Sequence, residues 1–500
     1  MSRFYITTPI YYVNDKPHIG HAYTTISADV LARYHRALGE EVFFLTGTDE
    51  HGSKVAASAE AAGLSPQEFC DIYSAHFKLA WDELDISNDH FIRTTDEAHQ
   101  KGVAAFLTRL KEVGAVYEGE YEGLYCNGCE KFITEKDLVD GCCPDHRTEP
   151  ELLKEKNYFF KLSDYLPRVE QLIDQGKLKI LPESRRKEVL GLFKQELHDF
   201  SISREHVKWG IKVPFDETQV IYVWVDALAN YITALGFGQE NEPDFHKFWP
   251  ADIQLIGKDI LKFHCVFWPA LLLAAGLEPP KAIFAHGYFT IDGQKMSKTV
   301  GNIIDPNELV QRFGSDVTRY LLLSQYPFGA DGDIKAENFV IQYNADLANG
   351  IGNLASRTLA MAEKYFAGQV PEQDDELKGK VAEIWASYQQ AMTQFQIDKA
   401  IEAFKLLVSL CDGYIDTNKP WVLAKTDQAR LAKVIYNLLE AIRHLGIMIY
   451  PFMPETAEKM LAALGKSDFK NFHLADLQRW GGLSAGGTVA KGENLFPRIQ

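Results

Sequence analysis

The first 46 residues contain two short apolar segments of extended type separated by one segment of helical type. Residues 4–8 and 41–46 are rich in β-branched and aromatic residues, and a proline and a glycine follow them. Between them, apolar residues recur at helical spacing over residues 22–38, and Gly39 stands where a helix would end. The pattern predicts a βαβ unit with two parallel strands and a right-handed crossover.

Two later apolar runs and one long helical region complete this pattern. Residues 220–225 and 253–256 are apolar and rich in strand formers, so we expect both to complete a parallel sheet. From about residue 338 to 464 the spacing is that of amphipathic helices, which predicts a helical bundle. Its two clearest apolar stripes are Ile401, Phe404, Leu407, Val408 and Cys411, and Leu431, Val434, Ile435, Leu438, Ile442, Leu445 and Ile449.

The start of the first predicted helix carries candidate phosphate-binding chemistry. His18 and His21 lie one turn apart with Gly20 between them, so both rings share the face where helix N–H groups gather. Far downstream, Lys295 and Lys298 flank a serine and add mobile positive charge suited to a pyrophosphate leaving group. Together the segments predict nucleotidyl transfer, although the histidines alone could simply cap a core helix.

A cysteine cluster in the first half of the chain has the spacing of a zinc site. Cys126 and Cys129 form one pair, and Cys143 and His146 form a second pair with the same spacing. Cys142 is an alternative to Cys143, and a redox pair or buried thiols would also fit the pattern. Because four protein ligands leave no open position, such a zinc ion would be structural.

Size and charge set limits on the function. A chain of 500 residues with 46% hydrophobic residues is long enough for two to four domains. Its formal net charge of −17 argues against a generally nucleic-acid-binding surface, so contacts with RNA must be local. No apolar run reaches the roughly 20 residues of a membrane helix, and the N-terminus predicts a strand instead of a signal peptide. We therefore expect a cytoplasmic protein without membrane contact.

These motifs resemble those of one enzyme family over nearly the whole chain. The histidine and lysine segments match the HIGH and KMSKS signatures of class I aminoacyl-tRNA synthetases, with Thr299 in place of the usual serine. The family's bacterial methionyl enzymes are the members that the chain resembles, through residues 7–14, 47–52, 222–227, 257–259, 263–264, 286–288, 353–357 and 418–421. The resemblance implies ATP-dependent activation of L-methionine and its transfer to the 3′ end of tRNA(Met), initiator tRNA included.

The resemblance also implies a fold class and a division into domains. It predicts an α/β Rossmann-like parallel-sheet catalytic domain with a zinc-bearing insertion, followed by an all-α anticodon-binding helical bundle. The boundaries are 1–116 and 212–337 for the catalytic halves, 117–211 for the insertion, 338–475 for the bundle and 476–500 for the tail. The insertion is too short for the editing domain of isoleucyl, valyl or leucyl enzymes. The cysteinyl enzyme uses zinc in its amino-acid pocket, whereas these ligands cluster within the insertion.

For the small substrates, the resemblance assigns two sets of residues. Asp49 follows a strand beside two glycines and would bind the methionine ammonium group, fixed by Arg204. An aromatic slot suits a thioether, and the residues implied to enclose the side chain are Ile10, Tyr12, Trp224, Ala227, Tyr231 and His264. The residues implied to contact ATP, together with Mg²⁺, are Gly20, Gly257, Asp259, His286, Gly287 and Lys298.

The predicted bundle carries a candidate RNA-reading surface. Residues 416–420 have a loop-like composition and lead to Trp421, which could stack on an unpaired base. Asn353 and Arg357 lie four residues apart on another predicted helix, as donors to base edges. The resemblance implies that this surface reads the CAU anticodon, whereas Trp421 by itself could equally be an interhelical packing residue. The alternative functions for the whole protein are a dinucleotide-forming nucleotidyltransferase and a non-catalytic RNA-binding paralogue. We expect the protein to be a monomer.

Overall fold

A seven-stranded parallel sheet organises the N-terminal half of the protein, in a computed structural model that describes residues 2–126, 131–133, 138–144, 147–291, 293–295, 303–466 and 473–499. All its pairings are parallel. The strands follow the order Tyr11–Tyr12, Glu41–Asp49, Arg3–Thr7, Ile253–Gly257, Ala282–His286 and Lys179–Leu181, with His90–Arg93 also paired to Glu41–Asp49.

The predicted βαβ unit is present at the centre of this sheet. Arg3–Thr7 pairs with Glu41–Asp49, and the helix Ile19–Ala37, called the signature helix below, connects them. The helix begins three residues earlier than predicted because His18 itself is its N-cap. Its apolar face is buried against the sheet, which directs its N-terminus to the carboxyl edge of the strands.

Helices cover the sheet and fill the two main cores. In the N-terminal half they are Ser53–Ala61, Pro66–Glu83, Glu97–Glu112, Leu166–Asp174, Glu183–Phe193, Val223–Thr233, Pro243–Phe248, Trp268–Ala274, Pro306–Phe313 and Ser315–Ser324. Short 3₁₀ segments lie at Leu162–Asp164 and Lys258–Ile260, and a π-helical turn lies at Phe263–Phe267. The core between these helices and the sheet is built mainly of aliphatic and aromatic residues.

The range predicted as an insertion forms most of a second sheet. This four-stranded antiparallel sheet has the order Lys131–Ile133, Val116–Cys126, Glu151–Phe160 and Phe200–Ser201. The strand Lys179–Leu181 from the same range instead joins the edge of the main sheet, beside Ala282–His286. The insertion therefore contributes to the catalytic core, and its limits at 117 and 211 stay a prediction.

The prediction that residues 220–225 complete the parallel sheet is wrong. The strand Asp216–Ile221 pairs antiparallel with Ser203–Arg204 and Lys212–Val213 in a separate three-stranded sheet. The chain then becomes helical at Val223, so the apolar run is divided between a strand end and a helix start. A short apolar run that is buried on all sides cannot by itself distinguish these structures. A further small sheet comprises Phe289–Ile291, Gln294–Lys295 and Gly332–Ile334.

The C-terminal half is a helical bundle, as predicted. It contains Ala336–Gln342, the π-helical Tyr343–Gly352, Asn353–Phe366, Lys378–Thr393, Ile397–Asn418, Pro420–Thr426, Gln428–Ile449, Pro454–Ala463 and Leu474–Leu477. Both predicted apolar stripes are buried, on Ile397–Asn418 and on Gln428–Ile449. Within the described ranges, no helix has both the length and the apolar character needed to cross a membrane.

The loop predicted over residues 416–420 is wrong in its extent. The helix continues to Asn418, and only Lys419 breaks it, with a left-handed φ of 47°. Pro420 then occupies the first turn of the next helix, where its missing N–H costs nothing. Trp421 therefore lies on a helix, held rigidly at its N-terminus.

Candidate active site

The N-terminus of the signature helix fixes the two predicted histidines through backbone hydrogen bonds. Nδ1 of His18 accepts the N–H of Gly20 at 3.1 Å, and Nδ1 of His21 accepts the N–H of His18 at 3.3 Å. The two rings stack with centroids 3.7 Å apart. This reciprocal cap holds both side chains in one orientation at the carboxyl edge of the sheet.

These hydrogen bonds also decide which ring nitrogen carries the proton. A backbone N–H can only donate, so Nδ1 of His18 and of His21 must accept, and Nε2 carries the hydrogen of each neutral ring. Burial lowers the pKa of His18 to about 4. Burial and the neighbouring His18 hold the pKa of His21 well below its usual value. Both rings are therefore neutral at physiological pH, and each presents an Nε2–H donor.

The chain on both sides of the second signature is anchored next to the first. Before it, Gln294–Lys295 pairs antiparallel with Phe289–Ile291. After it, the carbonyl of Ile304 accepts the N–H of Ile19, the first residue of the signature helix, at 3.1 Å. Lys298 and the side chain of Lys295 lie outside the described residues, so their roles stay predictions.

The predicted ATP contacts lie at neighbouring strand ends on this same edge. Gly257 is in register with His286 on adjacent parallel strands. Nδ1 of His286 donates to the carbonyl of Gly287 at 2.8 Å, so its Nε2 accepts the hydroxyl of Thr24 on the signature helix at 2.7 Å. An added Cβ at Gly287 would lie 2.5 Å from the backbone of Ala330, so only glycine fits there.

Asp259, the remaining predicted ATP residue, is exposed in the 3₁₀ turn that follows this strand. Its neighbour Lys258 is held away from it by Asp331, to which its ammonium group donates at 2.6 Å. Gly20 completes the set at the start of the signature helix. The structure thus brings the described members of the predicted ATP set to one edge of the sheet, whereas Lys298 lies outside the described residues.

The predicted methionine residues converge on one buried helix, Val223–Thr233, called the pocket helix below. Trp224 stacks on Phe263 with centroids 3.9 Å apart. The hydroxyl of Tyr231 donates to Nε2 of His264 at 2.7 Å, because Nδ1 of that ring donates to the carbonyl of Ile260 at 3.0 Å. Ile10, Tyr12 and Trp224 pack on the same apolar cluster as Tyr231, and Ala227 is buried on the same helix.

Asp49 lies at the end of the strand Glu41–Asp49, in register with Tyr12. Only 6% of Asp49 is exposed, so its carboxylate is an enclosed negative group beside the pocket. The guanidinium of Arg204, predicted to fix it, donates to the hydroxyl of Ser201 and lies 4.0 Å from the ring of Tyr222. The role of this arginine stays a prediction.

Sequence reasoning missed a buried polar network next to this pocket. Asp226 on the pocket helix accepts hydrogen bonds from Nδ1 of His51 and from Nε2 of His99, both at 2.7 Å. The one available signal was a carboxylate directly after the apolar run of residues 220–225. A buried carboxylate requires partners, but nothing in the sequence indicates which residues supply them.

Two of the predicted zinc ligands lie together. Cys126 and Cys143 are each 1% exposed and belong to one small buried cluster with Ile133. Cys142 instead pairs with Val139 across a tight turn and is partly exposed. Cys129 and His146 lie outside the described residues. Within the described ranges no group of three or more potential metal ligands is present, so the complete site stays a prediction.

The predicted anticodon residues also meet on one surface. Asn353 and Arg357 lie one turn apart on the helix Asn353–Phe366, and Asn353 is exposed. The guanidinium of Arg357 lies 5.5 Å from the ring centroid of Trp421, which is 45% exposed. Much of the indole is exposed, so its role in stacking on a base stays a prediction beside the alternative of interhelical packing.

Comparisons with known proteins agree with this arrangement. Residues 4–151 and 146–359 match the family described as tRNA synthetases class I (M). Residues 366–500 match the anticodon binding domain of methionyl tRNA ligase. A methionine–tRNA ligase of Caldanaerobacter subterraneus subsp. tengcongensis is 48% identical over 99% of this chain and 79% of that protein. One from Thermotoga maritima is 45% identical over 99% of this chain and 80% of that protein.

A solved structure extends the likeness to three dimensions. Mycobacterium tuberculosis methionyl-tRNA synthetase in complex with methionyl-adenylate superposes with a TM-score of 0.95 at 39% identity, covering 100% of both chains. Sequence, family match and fold therefore confirm the resemblance that the motifs indicated. The chain belongs to the methionyl-tRNA synthetases of class I.

Proposed function

We propose that the residues described above divide the family reaction, methionine activation by ATP and transfer to tRNA, into three separately positioned tasks. Phosphate chemistry belongs to the signature helix and the lysine segment, substrate selection to the pocket helix, and RNA recognition to the bundle. The observation that carries this proposal is the hydrogen bond between Ile19 and Ile304, which joins the start of the signature helix to the chain shortly after the lysine segment.

In the first step, the methionine carboxylate attacks the α-phosphate of ATP in line and pyrophosphate leaves. The Nε2–H groups of His18 and His21 donate to phosphate oxygens as neutral donors, because burial disfavours their charged forms. Lys295 and Lys298 supply positive charge, and Mg²⁺ bound with ATP would neutralise further charge on the pyrophosphate leaving group. The step needs no protein nucleophile, so the chain contributes positioning and electrostatic stabilisation.

Methionine is selected at both of its ends. The carboxylate of Asp49 pairs with the substrate ammonium, and the aromatic residues of the pocket enclose the thioether. The hydroxyl of Tyr231 is already committed to His264, so it offers no donor to a polar side chain. An apolar, aromatic pocket of this kind favours a flexible thioether over polar amino acids of similar length.

In the second step, a hydroxyl of the tRNA 3′-terminal ribose attacks the adenylate carbonyl and AMP leaves. The bundle binds the anticodon through Trp421, which stacks on a base, and through Asn353 and Arg357, which donate to base edges. The guanidinium beside the indole adds a cation–π contact that orients the ring before RNA arrives.

Cys126, Cys129, Cys143 and His146 would hold a zinc ion, which would stabilise the tip of the second sheet. The close burial of Cys126 and Cys143 supports this ligand set over one that uses Cys142. Zinc would supply structural cross-linking there, since four protein ligands leave no site for substrate.

The residues proposed to bind ATP and methionine all lie in one chain. We propose that the protein acts as a monomer in the cytoplasm.

The test of the phosphate assignment is Lys298→Ala in single-turnover adenylate formation. The rate should fall by about 100-fold while the affinity for methionine changes little, the effect of losing one preorganised donor. The control is Lys281→Ala, which removes a lysine paired with Asp252 at the opposite edge of the sheet. An unchanged rate in Lys298→Ala, or an equal loss in the control, would contradict the assignment.

A further inference from the structure

Asp226 is the centre of a buried network that connects three separate elements. It lies on the pocket helix between Trp224 and Ala227, and only 1% of it is exposed. One carboxylate oxygen accepts from His51, in the segment that follows Asp49, and the other accepts from His99 on the helix Glu97–Glu112. Each donor therefore connects the pocket helix to a different part of the fold.

His99 holds two turns of the pocket helix at once. Its Nε2–H donates to Asp226, and its Nδ1 lies 2.7 Å from the hydroxyl of Thr233, seven residues further along the same helix face. The two helices are packed closely here: an added Cβ at Gly102 would lie 2.5 Å from Cγ2 of Thr233. The imidazole thus fixes both the rotation of the pocket helix about its axis and its position along that axis.

His51 connects this helix to the proposed ammonium site. It stands two residues after Asp49, and its carbonyl accepts the hydroxyl of Tyr12, another residue of the proposed pocket, at 2.9 Å. Its Nδ1–H donates to Asp226 at 2.7 Å. Asp49 is therefore two residues along the backbone from a histidine that is hydrogen-bonded directly to Asp226.

The negative charge of Asp226 strengthens its hydrogen bonds to the two histidines. Burial by itself would raise the pKa of Asp226, but the attraction to His51 and His99 and their hydrogen bonds outweigh it, so the pKa lies below its ordinary value. The carboxylate is charged and needs both donors, because an ionised group left unpaired in the interior is costly. Movement of the pocket helix would break at least one of these bonds.

We infer that His51, Asp226 and His99 are positioning residues that set the distance between Asp49 and the methionine side-chain pocket. The substrate is held at its ammonium by one element and at its thioether by another, so the spacing between the two elements determines how well both ends bind together. This inference rests on the proposed methionine pocket. It adds a set of residues that act on substrate affinity without touching substrate.

The test compares two replacements of His99 in methionine-dependent ATP–pyrophosphate exchange. His99→Leu removes both hydrogen bonds and should raise the KM for methionine about 10-fold or more, with the KM for ATP changing less than about 2-fold. His99→Gln places an amide N–H near the position of Nε2 and should stay within about 3-fold of the unsubstituted protein. A residue that only stabilised the fold would not change the KM for methionine separately from the KM for ATP. Its loss would also not be restored by glutamine in particular.

The matched control is His444→Leu, which removes an equally buried histidine in the bundle that accepts from Trp385. It should leave the KM for methionine unchanged. If His99→Leu leaves that KM unchanged, or if the control raises it equally, the inference is overturned. If His99→Leu does not fold, Thr233→Val replaces it as the test, because this variant removes the hydroxyl and nearly keeps the side-chain shape. A rise of about 3-fold in the KM for methionine but not for ATP supports the inference, and no rise overturns it. Absence of methionine activation in the unsubstituted protein would instead refute the proposed function.

Discussion

The backbone N–H of Ile19 donates to the carbonyl of Ile304 at 3.1 Å. Ile19 begins the helix that carries both signature histidines, and Ile304 lies six residues after Lys298, so the hydrogen bond joins the backbone beside the two proposed phosphate-binding segments. A backbone bond does not depend on side-chain identity.

The ring orientation at His18 gives the first prediction. Because its Nδ1 accepts the N–H of Gly20, only Nε2–H remains to donate to ATP in the proposed site. His18→Ala should lower the single-turnover rate of adenylate formation by about 100-fold or more, as for other lost transition-state donors. His18→Gln keeps a donor near Nε2 and should recover at least about 10-fold of that loss. Equal rates in the two variants would show that His18 only caps the helix.

The cysteine cluster gives the second prediction. Cys126→Ser and Cys143→Ser should each lower the zinc content measured by elemental analysis, because each removes a thiolate proposed to bind the ion. Cys142→Ser is the matched control, because Cys142 is partly exposed and paired with Val139. It should retain full zinc. Full occupancy in Cys126→Ser, or loss of zinc only in Cys142→Ser, would show that the ligand set is wrong.

Trp421 gives the third prediction. Trp421→Ala removes a stacking surface worth about 1–3 kcal/mol, so kcat/KM for tRNA methionylation should fall roughly 10- to 100-fold. Adenylate formation without tRNA should hardly change. Val422→Ala alters an equally exposed neighbour, 45% exposed like Trp421, and should leave both activities unchanged. If pyrophosphate exchange falls as far as charging does in Trp421→Ala, the residue is a packing residue.

A pH dependence of stability follows from His264. Burial lowers its pKa from 6.5 to about 4. Between these values the unfolded state binds more protons than the folded state, so the free energy of unfolding decreases as the pH falls. The contribution of this residue lost between pH 7.5 and pH 5 is about 2 kcal/mol. The difference in unfolding free energy between the unsubstituted protein and His264→Gln should therefore shrink by that amount, measured by urea denaturation. A constant difference would contradict the neutral, buried state of this ring.

The sequence was informative where local chemistry determines local structure. Pro9 follows the first strand closely and His18 before an apolar helix is its N-cap, whereas the second strand continues through Gly47 to Asp49. The bundle was predictable because its stripes have helical period over many turns. These features depend on residues close together in the chain.

The errors occurred where long-range packing decides the outcome. Residues 220–225 are predicted to extend the parallel sheet, but Asp216–Ile221 pairs antiparallel in a separate sheet and a helix begins at Val223. The network around Asp226 joins residues 175 and 127 positions apart in the chain. No periodicity encodes such pairs. A single polar residue in an apolar run indicates that partners exist, but only the fold identifies them.

The central claim is that this chain activates methionine at the site formed by the two signatures. Amino-acid-dependent ATP–pyrophosphate exchange, measured with each of the twenty standard amino acids in turn, tests it most directly. We expect exchange with methionine at a rate at least about 100-fold above that with any other amino acid, since the pocket excludes polar side chains and gains from a full-length thioether. Preferential exchange with a different amino acid, or no exchange with methionine in the presence of Mg²⁺, would contradict the account.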